Sequence, residues 1–139
     1  MKKKTVYLDI DGVLLTNKQT KPAEYSGEFI EYVVSQFDCY WLTTHCKGSA
    51  NNALRYLSAY FNDQTLEALS KVKPTNWMTL KTEAIDFSSD FIWLDDYPLE
   101  SEKKVLSTNN CLNNLIVVNL SNEEELKKVI TILEKNISN

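Results

Sequence analysis

The feature that most constrains this chain is the point where its first apolar segment, Thr5-Val6-Tyr7-Leu8, runs into Asp9-Ile10-Asp11-Gly12-Val13. A short run rich in β-branched and aromatic residues reads as a buried strand. Residues i and i+2 share one side of a strand, so Asp9 and Asp11 both face one site as the backbone leaves the sheet, and Gly12 lets the chain turn sharply there. Two carboxylates this close repel unless positive charge offsets them, and such oxygen ligands suit a hard divalent cation such as Mg²⁺. An Asp-x-Asp tripeptide also occurs in calcium loops and in solvated turns. The calcium-loop reading fails on spacing, because the next acidic ligand and the closing Glu of an EF-hand loop are missing after Gly12.

Two further apolar segments end in residues able to do chemistry. Cys39-Tyr40-Trp41-Leu42 runs into Thr43-Thr44-His45, and Phe91-Ile92-Trp93-Leu94 runs into Asp95-Asp96. Between them Lys81 stands at the head of a helix predicted over Thr82 to Phe87. In an open α/β sheet the ligand sits outside the carboxyl ends of the strands, so three such strands point to one shared crevice. Thr43 is preferred to Thr44 because it is the first hydroxyl after the apolar run. Lys81 is preferred to Lys71 and Lys73 because it opens a helix. His45, the sole histidine, is close enough to Thr43 to reach the crevice and touch a substrate, although a lone histidine is more often structural. For Asp95-Asp96 the competing reading is a turn ahead of Pro98.

Taken in order, Asp9-x-Asp11-Gly12-Val13, Thr43, Lys81 and Asp95-Asp96 resemble the four motifs of the haloacid dehalogenase (HAD) superfamily, over most of the chain. The resemblance implies phosphoryl transfer. Asp9 would be the nucleophile and form an aspartyl-phosphate. Asp11 would protonate the leaving oxygen and then take a proton from the hydrolytic water. Thr43, with Thr44 and His45 nearby, would bind the phosphoryl group, and Lys81 would supply positive charge where negative charge builds. Mg²⁺ would be held by Asp9, Asp95 and Asp11, the last through its backbone carbonyl by family analogy. Asp96 would be a further ligand or the support of Asp95. The gap Leu14 to Gly27 is short, and His45 to Leu80 is mostly used by helices the core fold needs, so the inserted cap of many HAD enzymes is missing, which implies an open site. Such a site accepts large substrates such as nucleic-acid ends or phosphoproteins, borrows a lid from a partner subunit in a homodimer, or takes small exposed phosphate esters. The stretches Val13 to Phe37 and Trp41 to His45 are also similar to small HAD domains linked to RNA repair.

The expected fold is a single Rossmann-like α/β domain, a parallel sheet of about five strands flanked by helices. Strands are predicted at Thr5 to Ile10, Asp38 to Leu42, Trp77 to Thr79, Phe91 to Leu94 and Leu115 to Val118. Helices are predicted over about 28–37, 50–60 and 65–71, besides the one after Lys81. A last helix is expected from Ser121, with Glu124 completing a capping box. With 139 residues, 43% of them hydrophobic, and only three Gly and three Pro, the chain has material for one core.

Three cysteines and one histidine show no zinc spacing, so Cys39, Cys46 and Cys111 read as free thiols. The basic start Met1 to Lys4 is followed by too short an apolar run for a signal peptide, and no run approaches a membrane span, so a cytoplasmic protein without membrane contact is expected. A net charge of −4 and a single arginine, Arg55, disfavour a long polyanion as partner. Lys2 to Lys4 and Lys47 offer at most a local basic patch. Tyr25, Trp41 and Tyr97 would stack a base if exposed, although core positions suit them better. The expected activity is a Mg²⁺-dependent phosphomonoesterase acting on a phosphorylated small molecule or nucleic-acid end. The alternative is a non-catalytic phosphate-binding or protein-interaction module on the same fold.

Overall fold

The segments Thr5–Leu8 (β1), Asp38–Trp41 (β2), Phe91–Asp95 (β3) and Leu115–Val117 (β4) pair as one all-parallel sheet in the order β2-β1-β3-β4. This is seen in the computed structural model, which describes residues 3–137; Lys2 of the basic run lies outside them. Five α-helices flank the sheet: Ser26–Gln36 (α1), Ala50–Leu57 (α2), Asp63–Leu69 (α3), Glu100–Thr108 (α4) and Glu125–Ile137 (α5). The arrangement is α/β and consistent with a Rossmann-like fold. Among the described residues no helix is long and apolar enough to cross a membrane.

Period-two alternation divides the strands between two cores. Val6, Leu8, Cys39, Trp41, Ile92 and Leu94 face one side, where Phe29, Ile30 and Val33 of α1 and Leu126, Val129 and Leu133 of α5 cover them. Tyr7, Phe91 and Trp93 face the other, against Leu42, Trp77, Ile85 and Leu106. The inner strands are buried over nearly their whole length, as parallel strands covered on both faces must be. Register then sets the site. Tyr7 pairs with Trp93, and Leu8 with both Trp41 and Leu94, so the carboxyl ends of three strands finish flush. The chain leaves β1 for β2 on one side and β3 for β4 on the other, which makes the β1–β3 boundary the switch point where a crevice opens.

Four strands form, not five. The strand expected at Trp77–Thr79 is absent, and the chain instead runs beside β2 four residues earlier. There Lys73 N–H donates to Cys39 O at 2.9 Å and Trp41 N–H to Lys73 O at 2.8 Å. One step on, it is the Thr75 hydroxyl that donates to Trp41 O, at 2.5 Å, in place of a ladder N–H, so the contact stays an isolated bridge. Trp77 is buried through its ring in the second core while Met78 points to solvent. The helix expected after Lys81 shrinks to a single 3₁₀ turn, Lys81–Ala84, because Ile85 is already extended. The last helix starts at Glu125, not Ser121. Glu124 has φ 54°, and both the N–H and the hydroxyl of Ser121 donate to Asn119 Oδ1, so the expected capping box does not form.

Helix α4 has no counterpart in the expected elements, and its first turn hangs on one buried side chain. Glu102 accepts from Leu99 N–H at 2.8 Å and from Lys81 N–H at 2.7 Å, joining α4 to the Lys81 turn. Replacing it leaves two sheltered N–H groups without partners. Glu102→Ala is expected to destabilise the protein by about 2–3 kcal/mol, read as a lower urea midpoint, with Glu102→Gln recovering part of the loss. An unchanged midpoint in Glu102→Ala contradicts this account of α4.

Candidate active site

Asp9 follows β1 and Asp95 ends β3, and both have the side parity of Tyr7 and Trp93, so they emerge next to each other over the second core. Asp9 N–H donates to Leu94 O at 3.1 Å, which ties the loop after β1 to β3. The Asp9 carboxylate accepts from Ile10 N–H at 2.8 Å through Oδ1, and its Oδ2 lies 3.3 Å from Lys81 Nζ. Asp95 Oδ1 accepts from Tyr97 N–H at 2.9 Å, and Oδ2 takes the shorter contact with Lys81 Nζ, 2.6 Å. Asp9 is 7% exposed and Asp95 1%, so one ammonium sits between two sheltered carboxylates.

Burial dominates the electrostatics. It pushes the Asp9 carboxyl up to about 7; the Asp95 carboxylate adds to this and Lys81 opposes it. At Lys81 burial works against the charge, but Asp9 and Asp95 outweigh it and raise the ammonium above the ordinary lysine value. One carboxylate oxygen from each of Asp9, Asp95 and Asp96 lies within 4.8 Å of the others. That oxygen-only donor set fits a hard divalent cation. Asp96 is steadied by Asn17, whose side-chain amide donates to Oδ2 at 2.9 Å. Gly12 makes room for it. With φ +83° and no side chain it lies where a Cβ would overlap the Asp96 carboxylate.

The Asp11 carboxylate does not join this acidic group. It turns to the other wall of the crevice, where Oδ2 lies 2.8 Å from His45 Nε2 and Oδ1 accepts from the Tyr56 hydroxyl at 2.9 Å. The His45 and Tyr56 rings stack with centroids 3.8 Å apart and planes 10° from parallel. Burial, followed by the bond to Asp11, pushes the Tyr56 hydroxyl up to about 12, so it keeps its proton and donates. Thr43 is buried and accepts from His45 N–H at 3.3 Å, whereas Thr44 is exposed. Of the three candidate lysines only Lys81 stands at the crevice. Lys73 pairs with Asp38 at the start of β2, and Lys71 lines a hollow with Phe37 and Asp38.

Sequence reasoning missed Tyr56, and it had little to find it by. Tyr56 lies one step off the buried face of α2, which is marked by Ala53 and Leu57, and its partner is 45 positions away. Of the aromatics considered for stacking, Trp41 is wholly buried and Tyr25 donates to Glu124, while Tyr97 is 80% exposed beside Asp96. The three cysteines are free, and burial pushes the Cys39 thiol up to about 12. No family model matches the chain, and no curated protein matches it. The functional reading therefore rests on this geometry.

Because the folded state holds the Asp9 proton more tightly than the unfolded chain does, its contribution to stability is full at low pH and is lost as pH rises from about 4 to about 7. Asn lacks that titration. Metal-free Asp9→Asn should melt at a higher temperature than the metal-free parent at pH 8, with the gap closing toward pH 4, by at most about 1.4 kcal/mol per pH unit. Parallel melting curves across that range contradict the assignment.

Proposed function

We propose that the protein is a Mg²⁺-dependent phosphomonoesterase of the HAD type that works through an aspartyl-phosphate on Asp9. The observation that carries this reading is the ammonium of Lys81 held between buried Asp9 and Asp95, with Asp96 completing a divalent-cation donor set at the switch point of a parallel sheet. The order of these motifs, which resembles the HAD superfamily, supports this reading.

Asp9, Asp95 and Asp96 would hold Mg²⁺, which when bound would screen the phosphate charge against the anionic nucleophile. Asp9 then attacks phosphorus; the new P–O bond forms as the bond to the leaving oxygen breaks, and that oxygen takes the proton of Asp11. In the second half a water attacks the same phosphorus and gives a proton to Asp11, and Asp9 leaves as a carboxylate. Thr43 donates its hydroxyl proton to a phosphoryl oxygen. Lys81 keeps Asp9 aimed and neutralises charge on the equatorial oxygens.

The alcohol part of the substrate has room. A groove of about 650 Å³ runs from Gly12 and Asp96 between the loop of Thr16 to Lys21 and the segment Val117 to Ser121. Lys18 and Lys21 on its wall suit an anionic or polar group, in keeping with nucleotides or nucleic-acid ends as substrates. Free cysteines suit a reducing, cytoplasmic setting.

The test is phosphate release from p-nitrophenyl phosphate and from phosphate-terminated oligonucleotides, with Mg²⁺ or with EDTA. Release that needs the metal and falls at least about a thousandfold in Asp9→Asn is expected. Undiminished turnover in that variant overturns the reading. Binding of Mg²⁺ and inorganic phosphate without any turnover points to a non-catalytic phosphate-binding module.

A further inference from the structure

We propose that Tyr56 and His45 form a clamp that positions the Asp11 carboxyl for proton delivery to the leaving oxygen, which makes the site one for phosphate monoesters of aliphatic alcohols. The inference rests on the phosphatase reading above.

Asp11 sits on the loop that Gly12 turns, and its side chain is 42% exposed. A half-exposed aspartate on a turn samples several rotamers unless something holds it. Here two partners hold it, one on each oxygen, which fixes both the position and the plane of the carboxyl group. The partners arrive from different elements. Tyr56 projects from α2, so Asp11 is tied to a helix rather than to its own loop. His45 belongs to the loop after β2, and its N–H donates to Thr43 Oγ1. The residue that holds the acid is thus bonded to the hydroxyl that would hold the phosphate. The ring stack between Tyr56 and His45 sets the spacing of the two contacts.

The clamp does a second thing. Asp96, two strands' ends away from His45, already completes a three-carboxylate group with Asp9 and Asp95. A freely turning Asp11 would be drawn to the same cation and become a ligand rather than an acid. Held against Tyr56 and His45, it stays available to carry a proton. When phosphorus passes to Asp9, the electron pair of the broken P–O bond goes to the leaving oxygen, which then takes the Asp11 proton. A nitrophenolate leaves readily without that proton. An aliphatic alkoxide does not, so the benefit of a well-placed acid falls on alkyl esters.

Tyr56→Phe keeps the ring stack and removes one bond; His45→Ala removes the other, and His45→Gln returns an amide near the position of Nε2. Each is compared with the parent protein in Mg²⁺ by kcat/KM for glycerol 2-phosphate and for p-nitrophenyl phosphate. This ratio reports the first, proton-dependent transfer alone. Tyr56→Phe and His45→Ala are expected to lose at least about tenfold more on the alkyl ester than on the aryl ester, with His45→Gln recovering most of the difference. If Tyr56→Phe fails to fold, the two His45 variants carry the same comparison. Equal losses on both esters, no loss, or a parent protein that hydrolyses only the aryl ester overturn the clamp and leave the phosphatase reading standing. A parent protein that hydrolyses neither ester overturns both.

Discussion

The ammonium of Lys81 between the buried carboxylates of Asp9 and Asp95 is the interaction on which the rest of the crevice depends. Two carboxylates sheltered this deeply would not both stay charged without a cation nearby. Lys81 supplies that charge at 3.3 and 2.6 Å. Its own place is fixed from behind, since Glu102 accepts the Lys81 backbone N–H and starts α4 with its other oxygen. Helix α4 therefore helps determine where Lys81 stands. The arrangement still leaves Asp9 hard to ionise, because burial and Asp95 outweigh Lys81.

The sheet brings these groups together through register and parity. Equal register across β2, β1 and β3 ends three strands at one level, and alternation sends Asp9 and Asp95 toward the same side. The two walls of the crevice then divide the work. On the β3 side three carboxylates gather with Lys81 and Gly12 admits Asp96. On the β2 side His45 and Tyr56 hold Asp11, and Thr43 accepts from the His45 N–H. Two aspartates separated by one residue thus meet different partners, Lys81 at Asp9 and the pair His45 and Tyr56 at Asp11.

Much of this was legible in the sequence because it is local. Apolar runs ending in Asp9, Thr43 and Asp95 mark strands and their tips, and an expected helix start sets Lys81 apart from Lys71 and Lys73. What escaped is non-local or depends on one backbone group. Apolar residues at Trp77 suggest a strand, yet the Thr75 hydroxyl takes Trp41 O and the pairing ends before the chain reaches Trp77. Helix α4 is mostly polar, with Leu106 its one fully buried apolar residue, and its anchor Glu102 reads as a surface residue until Lys81 is seen above it. The capping signal at Ser121 and Glu124 was answered by Asn119, a closer acceptor. Tyr56 meets Asp11 only after α2 has folded back over the loop, which no spacing reveals.

The central claim is that Asp9 accepts phosphorus, and the most direct measurement is to find it there. The protein is mixed with Mg²⁺ and p-nitrophenyl phosphate, quenched in acid within the first turnover, digested and mapped by tandem mass spectrometry. The account predicts an acid-stable, base-labile phosphoryl group on the peptide containing Asp9, at Asp9 itself. Phosphate release with no label on Asp9, or with the label on another side chain, would contradict it.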